Sequence, residues 1–487
     1  MTKVGFVSLG CPKNLVDSEV MMGILTRDGY ELTPRADEAE VLVVNTCSFI
    51  EAAQKESVDA ILEMAEYKKF GAAKKLIVAG CLVERYREQI LEQVPEVDAV
   101  VGTGEVVRIL EAVHGDLRVL PAQPPTFLYH EFTPRIVTTP KHAAYIKIAE
   151  GCDHPCTFCI IPELRGKFRS RRFESVVREA ENLAAAGARE ITLIGQDTTS
   201  YGEDLGLRDG LAQLLAKLGQ IEDLLWVRFL YAYPNRVTQK LLDTIAAHPR
   251  LAKYIDMPLQ HASRNVLARM KRGSNGEAFL HLLERMRKTI PGVSLRTSFI
   301  VGFPGETEQD FKELCDFVRT AKLDWMGVFE YSDVDNAGSY SLSEKLDAET
   351  ITDRRKRLMV IQKKVSRENL RAKYRAVKRE TYVALVEGPS KDNPLVWEAR
   401  LEGMAPEIDG KLYLTDIELT SGEIAEQGDM VRVKITKSDA YDLIGHVVEI
   451  LPRPARKTDA SVHVTAPVPP AEKLHRIATG APLRVLG

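Results

Sequence analysis

Short apolar runs of strand length alternate with helix-length segments over most of this chain of 487 residues. The first part has strand-like runs at residues 4–9, 41–44 and 76–79, and helix-like segments at residues 17–27 and 52–68. This alternation predicts parallel strands, because a parallel pair needs a crossover connection that is usually a helix. We therefore expect an α/β domain with a parallel sheet over residues 1–125, ending in the linker-like run Pro-Ala-Gln-Pro-Pro at 121–125.

The alternation continues in a second part, which we place at residues 138–379. Its strand-like runs are at residues 144–149, 191–194, 226–231, 253–257, 295–301 and 326–330, with helical patterns at 173–186, 211–218, 277–288 and 308–320. A closed barrel of βα units has eight of them, so six predict an open (β/α)6 partial barrel. The basic segment at 353–379 is interpreted as a long exit helix.

The last two parts of the chain lack the alternation of strands and helices. Short alternating runs at residues 382–386, 412–414, 430–435 and 445–450 lie between Gly and Asp turns, which predicts a small all-β barrel over residues 380–451. Residues 452–487 contain six prolines and little apolar periodicity, and we interpret them as a mobile tail.

The net charge of −3 hides a strong segregation of charge. Residues 353–379 hold 12 Lys and Arg against 2 acidic residues, whereas residues 381–451 hold 6 against 14. No apolar run approaches the ~18 residues of a membrane helix, and the N-terminus lacks the plan of a signal peptide. We therefore expect a cytoplasmic protein whose seven cysteines are thiols rather than disulfides.

The strongest local signal is the spacing Cys152-x3-Cys156-x2-Cys159, which follows the strand-like run at 144–149. Three thiolates within eight residues can bind three irons of a four-iron cluster and leave the fourth iron open for a small molecule. The alternatives are a structural zinc knuckle and a chance cluster. A zinc site usually supplies a fourth Cys or His at regular spacing, and this pattern does not.

A second triad depends on the predicted sheet. Cys11, Cys47 and Cys81 each follow the carboxyl end of a strand-like run, and ligands bind at that edge of an open parallel sheet. Glycines at 10 and 80 would allow close approach of backbone. The alternative is that these three are buried structural cysteines. Cys315 has helical spacing with Phe311, Leu314 and Val318, and we assign it to the core.

Three further segments are weaker candidates for contacting a ligand. They are Gly195-Gln196-Asp197, Gly302-Phe303-Pro304-Gly305-Glu306, and the basic run from Arg165 to Arg172 beside the first triad. Each has a plain structural interpretation: a polar loop with a capping Asp, a tight turn, and a solvated surface. Tyr231, Tyr233 and His261 also end strand-like runs, where packing is the more common role.

Together these residues resemble the radical S-adenosylmethionine superfamily, and within it the methylthiotransferase branch, whose third domain is the TRAM module. The resemblance covers residues 3–451. The run SLGCPKNLVDSE at 8–19, GQDTT at 195–199 and PLQHAS at 258–263 are similar to the subfamily that modifies ribosomal protein uS12. The loop after Tyr331-Ser332 departs from that pattern, and the tail has no counterpart in it.

The resemblance implies a cofactor set and a reaction. Cys152, Cys156 and Cys159 would hold a [4Fe-4S] cluster that binds and cleaves S-adenosylmethionine, and Cys11, Cys47 and Cys81 would hold a second cluster that carries the sulfur. The resulting radical would take a hydrogen from the β-carbon of a uS12 aspartate, giving 3-methylthioaspartate. Phe158 would lie against the adenine region, and Gly195, Gln196, Asp197, Gly302 and Glu306 would line the cofactor, with Arg165 and Arg171 near a carboxylate.

The implied partners are uS12, an electron-donating reductase and, through the basic helix, ribosomal RNA. Two other functions stay open. One is the same chemistry on a tRNA adenosine, against which the acidic third module argues, because a tRNA-binding module should be basic. The other is a non-catalytic iron–sulfur protein that binds the ribosome.

Overall fold

The structure is a computed structural model that describes residues 1–115, 125–375 and 380–452. The predicted linker at 121–125 lies almost wholly outside the described residues, and so does the predicted tail beyond residue 452. In the part that is described, no helix combines the length and the apolar character needed to cross a membrane.

The N-terminal part is a five-stranded sheet of order β2-β1-β3-β4-β5 in which every pair is parallel, as predicted. Its strands are β1 (Lys3–Ser8), β2 (Glu31–Leu32), β3 (Val41–Thr46), β4 (Lys75–Gly80) and β5 (Ala99–Val101). Its helices are α1 (Pro12–Arg27), α2 (Glu51–Phe70), α3 (Cys81–Gln93) and α4 (Ile109–His114). Strands β2 and β5 were not predicted, because they have only two and three residues.

Helix α1 begins earlier than predicted. We expected it from residue 17, but Pro12 occupies the first helical turn, and Cys11 is the residue before the helix. Proline suits that position, because its missing N–H is one that a helix leaves unbonded there anyway. The Cys-Pro-Lys-Asn sequence therefore opens a helix rather than continuing a loop.

The middle part contains six parallel strands that follow one another in space as they do in sequence. Two three-stranded sheets, of order β6-β9-β10 and β11-β12-β13, meet through a parallel bridge between Val227 and Leu251. A short antiparallel pair, β7 with β8, lies beside them. The open (β/α)6 partial barrel is thus confirmed.

The strands of this part are β6 (Ala143–Lys147), β7 (Ala149–Glu150), β8 (Arg169–Ser170), β9 (Glu190–Ile194), β10 (Trp226–Phe229), β11 (Tyr254–Asp256), β12 (Ser294–Val301) and β13 (Trp325–Glu330). The helices are α5 (Ile161–Arg165), α6 (Phe173–Ala185), α7 (Gly210–Leu218), α8 (Gln239–Ala247), α9 (Arg264–Arg269), α10 (Gly276–Thr289), α11 (Glu308–Ala321) and α12 (Ala348–Arg375). Helix α12 is the predicted exit helix. Cys315 is buried in α11, within the core, as predicted.

The third part is a closed five-stranded barrel of order β14-β15-β16-β18-β17. Its strands are β14 (Tyr382–Pro389), β15 (Trp397–Leu401), β16 (Leu412–Leu414), β17 (Met430–Ser438) and β18 (Leu443–Ile450). Four of these five strands match predicted runs. Strand β15 was not predicted, because polar Glu398 and Arg400 interrupt its apolar run.

The two faces of the partial barrel pack against different partners. Outward residues such as Leu193, Phe229 and Phe299 belong to the core formed with the surrounding helices. Inward residues such as Tyr145 and Trp325 share one core with helix α1, the N-terminal sheet and the β-barrel. Helix α1 therefore fills the concave side of the partial barrel.

The β-barrel sits at the amino ends of the partial-barrel strands. Tyr254 Oη donates to Asp409 Oδ2 at 2.7 Å, and Trp325 Nε1 donates to the Gly403 carbonyl at 2.7 Å. His142, just before β6, lies 2.9 Å from Glu387. Part of the acidic charge of the β-barrel is thus used inside the molecule, and the carboxyl ends of the strands stay available for a site.

Candidate active site

The second predicted triad converges at one edge of the N-terminal sheet. Cys11, Cys47 and Cys81 follow β1, β3 and β4, which are neighbours in the sheet order. Gly10 has a φ of +89°, and a Cβ placed there would lie 2.7 Å from Cys47 Cβ and 3.0 Å from its Sγ. The glycine therefore allows the Cys11 and Cys47 segments to approach each other.

Two cations set the electrostatics of this edge. Burial alone would raise the pKa of Cys11, but Lys13 and Arg165 outweigh it and lower that pKa. Burial, together with the neighbouring thiols of Cys81 and Cys11, raises the pKa of Cys47 to about 12. Arg165 Nη2 lies 3.6 Å from Cys81 Sγ. A bound metal would have to displace the thiol protons, as metals do at cysteine sites.

The first predicted triad lies on the loop between β7 and α5. The Cys152 N–H donates to the Gly166 carbonyl at 3.2 Å, and the Cys159 N–H donates to the Cys156 carbonyl at 3.2 Å. Thr157 N–H donates to the Met270 carbonyl at 3.2 Å, which attaches the loop to the end of α9. Burial raises the pKa of Cys152 to about 11 and that of Cys159 to about 12.

Arg272, Tyr233 and His154 surround this triad, and the sequence analysis did not assign them to the site. Arg272 Nη1 lies 3.5 Å from Cys156 Sγ, and its guanidinium lies over the Tyr233 ring at 4.2 Å. The His154 ring stacks on Tyr233 at 3.7 Å between centroids. The position of His154 inside the cysteine loop was a usable signal, whereas nothing in the sequence around Arg272 points to Cys156.

Asp197 orients His154. Its Oδ2 lies 2.7 Å from His154 Nε2 and accepts from Ser200 Oγ at 2.6 Å. Burial raises the pKa of Asp197, but these partners outweigh it and lower that pKa. The carboxylate thus stays ionised and fixes the imidazole against Tyr233, next to the cysteine loop.

A buried network of charges joins the two triads. Arg165 Nη1 lies 2.9 Å from Asp17 Oδ2, on α1, and 3.1 Å from Glu150 Oε1, just before the cysteine loop. Lys147 forms ion pairs with the same two carboxylates. Because buried ion pairs are costly to break, this network fixes the N-terminal domain against the partial barrel between the two sites.

Gln196 belongs to the same network. Its Nε2 donates to Glu150 Oε1 at 2.5 Å, while its buried Oε1 has no hydrogen-bond partner among the described residues. A Cβ placed on Gly195 would find its nearest neighbour 3.6 Å away, so packing does not force a glycine there. An unpaired buried oxygen suits the binding of a ligand that can donate a hydrogen bond.

The glycine turn after β12 is held by its own carboxylate. Glu306 Oε2 accepts from the N–H of Gly302 at 2.6 Å, and its other oxygen pairs with Arg354 at 2.8 Å. Burial raises the pKa of Glu306 to about 7. A Cβ on Gly302, whose φ is +77°, would collide with Ile351 of α12. Phe158 packs against the small cluster that Phe303 of this turn forms with Val266 and Met270.

The two predicted arginines are engaged by the protein itself. Arg165 contacts the carboxylates of Asp17 and Glu150 described above. Arg171 pairs with Glu179 and donates to Ser175 Oγ at 2.9 Å. A contact of Arg171 with the cofactor stays a prediction, since its described partners are all structural.

The loop after β13, at residues 333–338, lies between the triads. Val334 and Ala337 pack in one small cluster with Cys81, Ile160 and Leu164. Ser339 N–H donates to the Thr157 carbonyl at 2.7 Å, inside the first cysteine loop. Tyr86 Oη donates to Asp335 at 3.1 Å, and Arg85 pairs with Asp335. In the sequence, this loop stands out only as a departure from a family pattern.

Each donor set combines three thiols with a neighbouring cation, which suits an anionic iron–sulfur cluster. In the described ranges, no three or more His, Cys, Asp or Glu side chains are arranged to hold one metal ion. A four-iron cluster asks for a wider arrangement, because each thiolate binds a different iron. Each triad also has a cation within 3.6 Å of one sulfur, Arg272 at Cys156 and Arg165 at Cys81, which suits an anionic group.

Comparison with protein families divides the chain in the same way. Residues 3–102 match the Uncharacterized protein family UPF0004, residues 146–318 match the Radical SAM superfamily, and residues 380–448 match the TRAM domain. Among solved structures, the radical S-adenosylmethionine methyltransferase TsrM from Kitasatospora setae has a TM-score of 0.50 at 17% identity. It covers 68% of this chain and 73% of its own, and the likeness supports the fold alone.

Curated relatives match at much higher identity. A protein of Solibacter usitatus is 61% identical over 446 residues, which is 91% of this chain and 94% of the relative. A protein of Koribacter versatilis is 54% identical over 491 residues, 92% of this chain and 96% of the relative. Both carry the name ribosomal protein uS12 methylthiotransferase RimO. This chain belongs to the RimO family of radical SAM methylthiotransferases.

Proposed function

We propose that this protein is a radical S-adenosylmethionine methylthiotransferase that inserts a methylthio group at the β-carbon of an aspartate of ribosomal protein uS12, giving 3-methylthioaspartate. The observation that carries the proposal is the pair of cysteine triads at neighbouring strand ends, joined by the buried network around Arg165. The high identity to relatives named for this activity supports the substrate.

The two triads hold the two [4Fe-4S] clusters. Cys152, Cys156 and Cys159 hold the one that binds S-adenosylmethionine, and Cys11, Cys47 and Cys81 hold the auxiliary one. When bound, these groups supply the one-electron chemistry and the sulfur that protein side chains cannot. With three cysteines as its protein ligands, each cluster would keep one iron for a small molecule or for sulfur.

The side chains around the first triad position the cofactor and exclude water. Arg272 offsets negative charge at Cys156, and the stacked pair of His154 and Tyr233 forms a rigid wall that Asp197 orients. Gln196 Oε1 offers a hydrogen-bond acceptor to S-adenosylmethionine, and Phe158 and the Gly302–Glu306 turn close the far side. Radical chemistry benefits from such enclosure, because reactive species are otherwise quenched.

The loop at 333–338 closes the space between the triads. It touches Cys81 on one side and Thr157 on the other, so it limits what can reach both sites at once. The substrate is a protein side chain that must enter this space from outside. We therefore assign to this loop a role in admitting the target aspartate.

The choice between uS12 and tRNA rests on charge as well as on the relatives. Residues 381–451 carry 14 acidic side chains against 6 basic ones, which suits a basic protein and repels phosphate. Many cations of α12 are used internally, since Arg354 pairs with Glu306 and Arg357 with Glu308. A reductase, contact with ribosomal RNA through α12, and action in the cytoplasm remain parts of the proposal. So do the domain limits 1–125, 138–379, 380–451 and 452–487.

The proposal is tested with anaerobically reconstituted protein, S-adenosylmethionine, sulfide and a reductant. uS12 and tRNA are offered in parallel, and both are analysed by mass spectrometry after digestion. We expect a methylthio mass gain on one aspartate-containing uS12 peptide and an unchanged tRNA nucleoside profile. A uS12 variant with asparagine in place of that aspartate is the substrate control. A methylthio adenosine with unmodified uS12 would replace the proposed substrate by tRNA.

A further inference from the structure

Lys13 is a buried cation that pairs with no carboxylate in the described part of the chain. Its side chain lies in the turn that opens α1, two residues after Cys11, and only 8% of the residue is exposed. Its Nζ lies over the ring of Tyr231, 3.4 Å from the centroid. Among the described residues no carboxylate pairs with it. Lysine is almost never buried to this degree unless it is paired.

The other buried cations at the junction of the two domains are paired. Lys147 and Arg165 share Asp17 and Glu150, and Arg135 pairs with Glu19 and Glu179. The contrast shows that this part of the molecule supplies an acidic partner to most of its buried cations. Among the described residues Lys13 has no acidic partner of this kind, and the groups that face it are the Cys11 thiol and Tyr231.

Tyr231, the residue under Lys13, has a strained backbone. Its φ is +65°, a conformation that bulky residues rarely adopt. Thr198 donates to its carbonyl, and its N–H donates to Asp256 Oδ2 at 3.0 Å, so the ends of β9 and β11 both hold it there. Such strain persists only where the surroundings enforce it, and it clusters at functional sites. The enforced conformation places the ring beneath the ammonium.

The place of Lys13 matches what the reaction needs. It lies at the carboxyl ends of the partial-barrel strands, beside Tyr231, and next to the auxiliary triad. The carbon to be modified in an aspartate is bonded directly to the side-chain carboxyl group. A cation that binds the carboxylate therefore fixes the reacting carbon within one bond of an anchored group.

We propose that Lys13, held against Tyr231, binds the side-chain carboxylate of the aspartate that is modified. This inference rests on the proposed function. It makes Lys13 a specificity-determining residue, because a buried ammonium discriminates against a neutral side chain of the same shape, such as asparagine. An adenine base offers no carboxylate and would leave the cation unpaired.

The test is a double-mutant cycle that combines variants of the enzyme with variants of the substrate peptide. Two peptides from uS12 are compared, one with the target aspartate and one with asparagine in its place. Binding to the cluster-loaded enzyme is measured by fluorescence anisotropy without reductant, so that no turnover occurs. We expect the wild-type enzyme to bind the aspartate peptide about tenfold more tightly. Lys13→Met should reduce that ratio of affinities to about one, because it weakens binding of the aspartate peptide and leaves binding of the asparagine peptide unchanged.

Two control variants distinguish the loss of charge recognition from structural damage. Lys13→Arg keeps the cation and should restore most of the preference, and Lys217→Met removes an exposed cation on α7 and should leave it at the wild-type value. Iron content of each variant reports whether the clusters are retained. If Lys13 served only to balance cluster charge, Lys13→Met would weaken the binding of both peptides equally, and the inference would be wrong.

The outcomes also separate this inference from the proposed function. A wild-type enzyme that modifies uS12 but binds both peptides equally overturns the role of Lys13 alone, with no variant needed. A preference that survives in Lys13→Met does the same. A wild-type enzyme that binds the aspartate peptide selectively but never adds a methylthio group overturns the proposed function instead.

Discussion

At the scale of single residues, the guanidinium of Arg272 illustrates how a distant side chain completes a site. It lies 3.5 Å from Cys156 Sγ, over the ring of Tyr233, and donates to the Pro258 carbonyl at 2.6 Å. A fixed positive charge this close to a cluster ligand stabilises the reduced, more negative state of the cluster.

Replacing Arg272 with Met should therefore lower the midpoint potential of the cluster held by Cys152, Cys156 and Cys159, by on the order of 50 mV. The measurement is a redox titration followed by electron paramagnetic resonance. Lys271→Met is the matched control, since it removes an exposed cation from the adjacent residue. Equal potentials in the two variants would contradict the role given to Arg272.

Sequence reasoning reached the residues whose spacing is local. The Cys152–Cys159 pattern is contained in one loop, and Cys11, Cys47 and Cys81 follow strands that could be recognised. Arg272 and Lys13 could not be assigned in the same way. Each owes its place to a tyrosine at the end of β10, and that contact exists only after the partial barrel has curved around α1.

At the scale of elements, the loop at 333–338 connects the partial barrel to the N-terminal domain. Asp335 is its anchor, because it pairs with Arg85 and accepts from Tyr86 Oη, both on α3. The side chain of Asp335 is half exposed, so the contribution of these contacts to stability is modest. Their effect is to hold Val334 and Ala337 against Cys81.

Asp335→Ala should loosen this cover and expose the auxiliary site. We expect iron to be lost in air about two- to fivefold faster than from the wild-type protein, as measured with a colorimetric chelator. Asp333→Ala is the control, because Asp333 pairs with Lys345 in the same region and does not reach α3. Identical rates of iron loss in the two variants would show that Asp335 does not anchor the cover.

The contact between β14 and the start of the partial barrel depends on Glu387. Burial would raise its pKa, but Arg400 and His142 outweigh burial and lower it from 4.5 to about 2. A carboxyl whose pKa is lower in the folded than in the unfolded state stabilises the fold above its unfolded pKa. That contribution is lost as the pH falls towards the folded pKa.

Glu387→Gln should therefore destabilise the protein by about 2–3 kcal/mol at neutral pH. The difference in free energy of unfolding between variant and wild type should stay constant from pH 8 to 5 and become smaller below about pH 4.5. Urea denaturation across this range measures it. Glu398→Gln, which affects a pair with Lys411 inside the β-barrel, is the control for general damage. A gap that widens on acidification would contradict the assignment.

At the scale of the whole molecule, three parts with separate folds share one core. Residues of the N-terminal sheet, the inner face of the partial barrel and the β-barrel form a single buried cluster. Apolar burial stabilises by roughly 25 cal/mol per Å², so separating any part would expose a large unfavourable surface. The three parts are therefore expected to depend on one another for stability.

The cluster-loaded protein should consequently unfold in one thermal transition by calorimetry, with the same midpoint seen by tryptophan fluorescence. The three tryptophans report on both sides of the contact, because Trp226 and Trp325 lie in the partial barrel and Trp397 in the β-barrel. A separate transition of Trp397 fluorescence at a lower temperature would mean that the β-barrel unfolds as an independent unit.

The architecture was largely predictable from the sequence, and the arrangement of its parts was not. Strand and helix alternation predicted the parallel sheet and the six-unit partial barrel, because each signal comes from neighbouring residues. The filling of the concave face by α1 depends on side chains such as Met21 and Tyr145, far apart in sequence. The acidic charge of residues 381–451 was read as a surface property, but Glu387 and Asp409 are used inside the molecule.

The central claim is that the two cysteine triads hold two clusters with different tasks. The most direct test compares Cys47→Ala with Cys156→Ala, each assayed for reductive cleavage of S-adenosylmethionine and for methylthiolation of uS12. Cys156→Ala should lose both activities, whereas Cys47→Ala should keep the cleavage and lose the methylthiolated product. Iron should fall from about eight to about four per chain in each variant. A Cys47→Ala enzyme that still inserts sulfur at the wild-type rate would contradict the account.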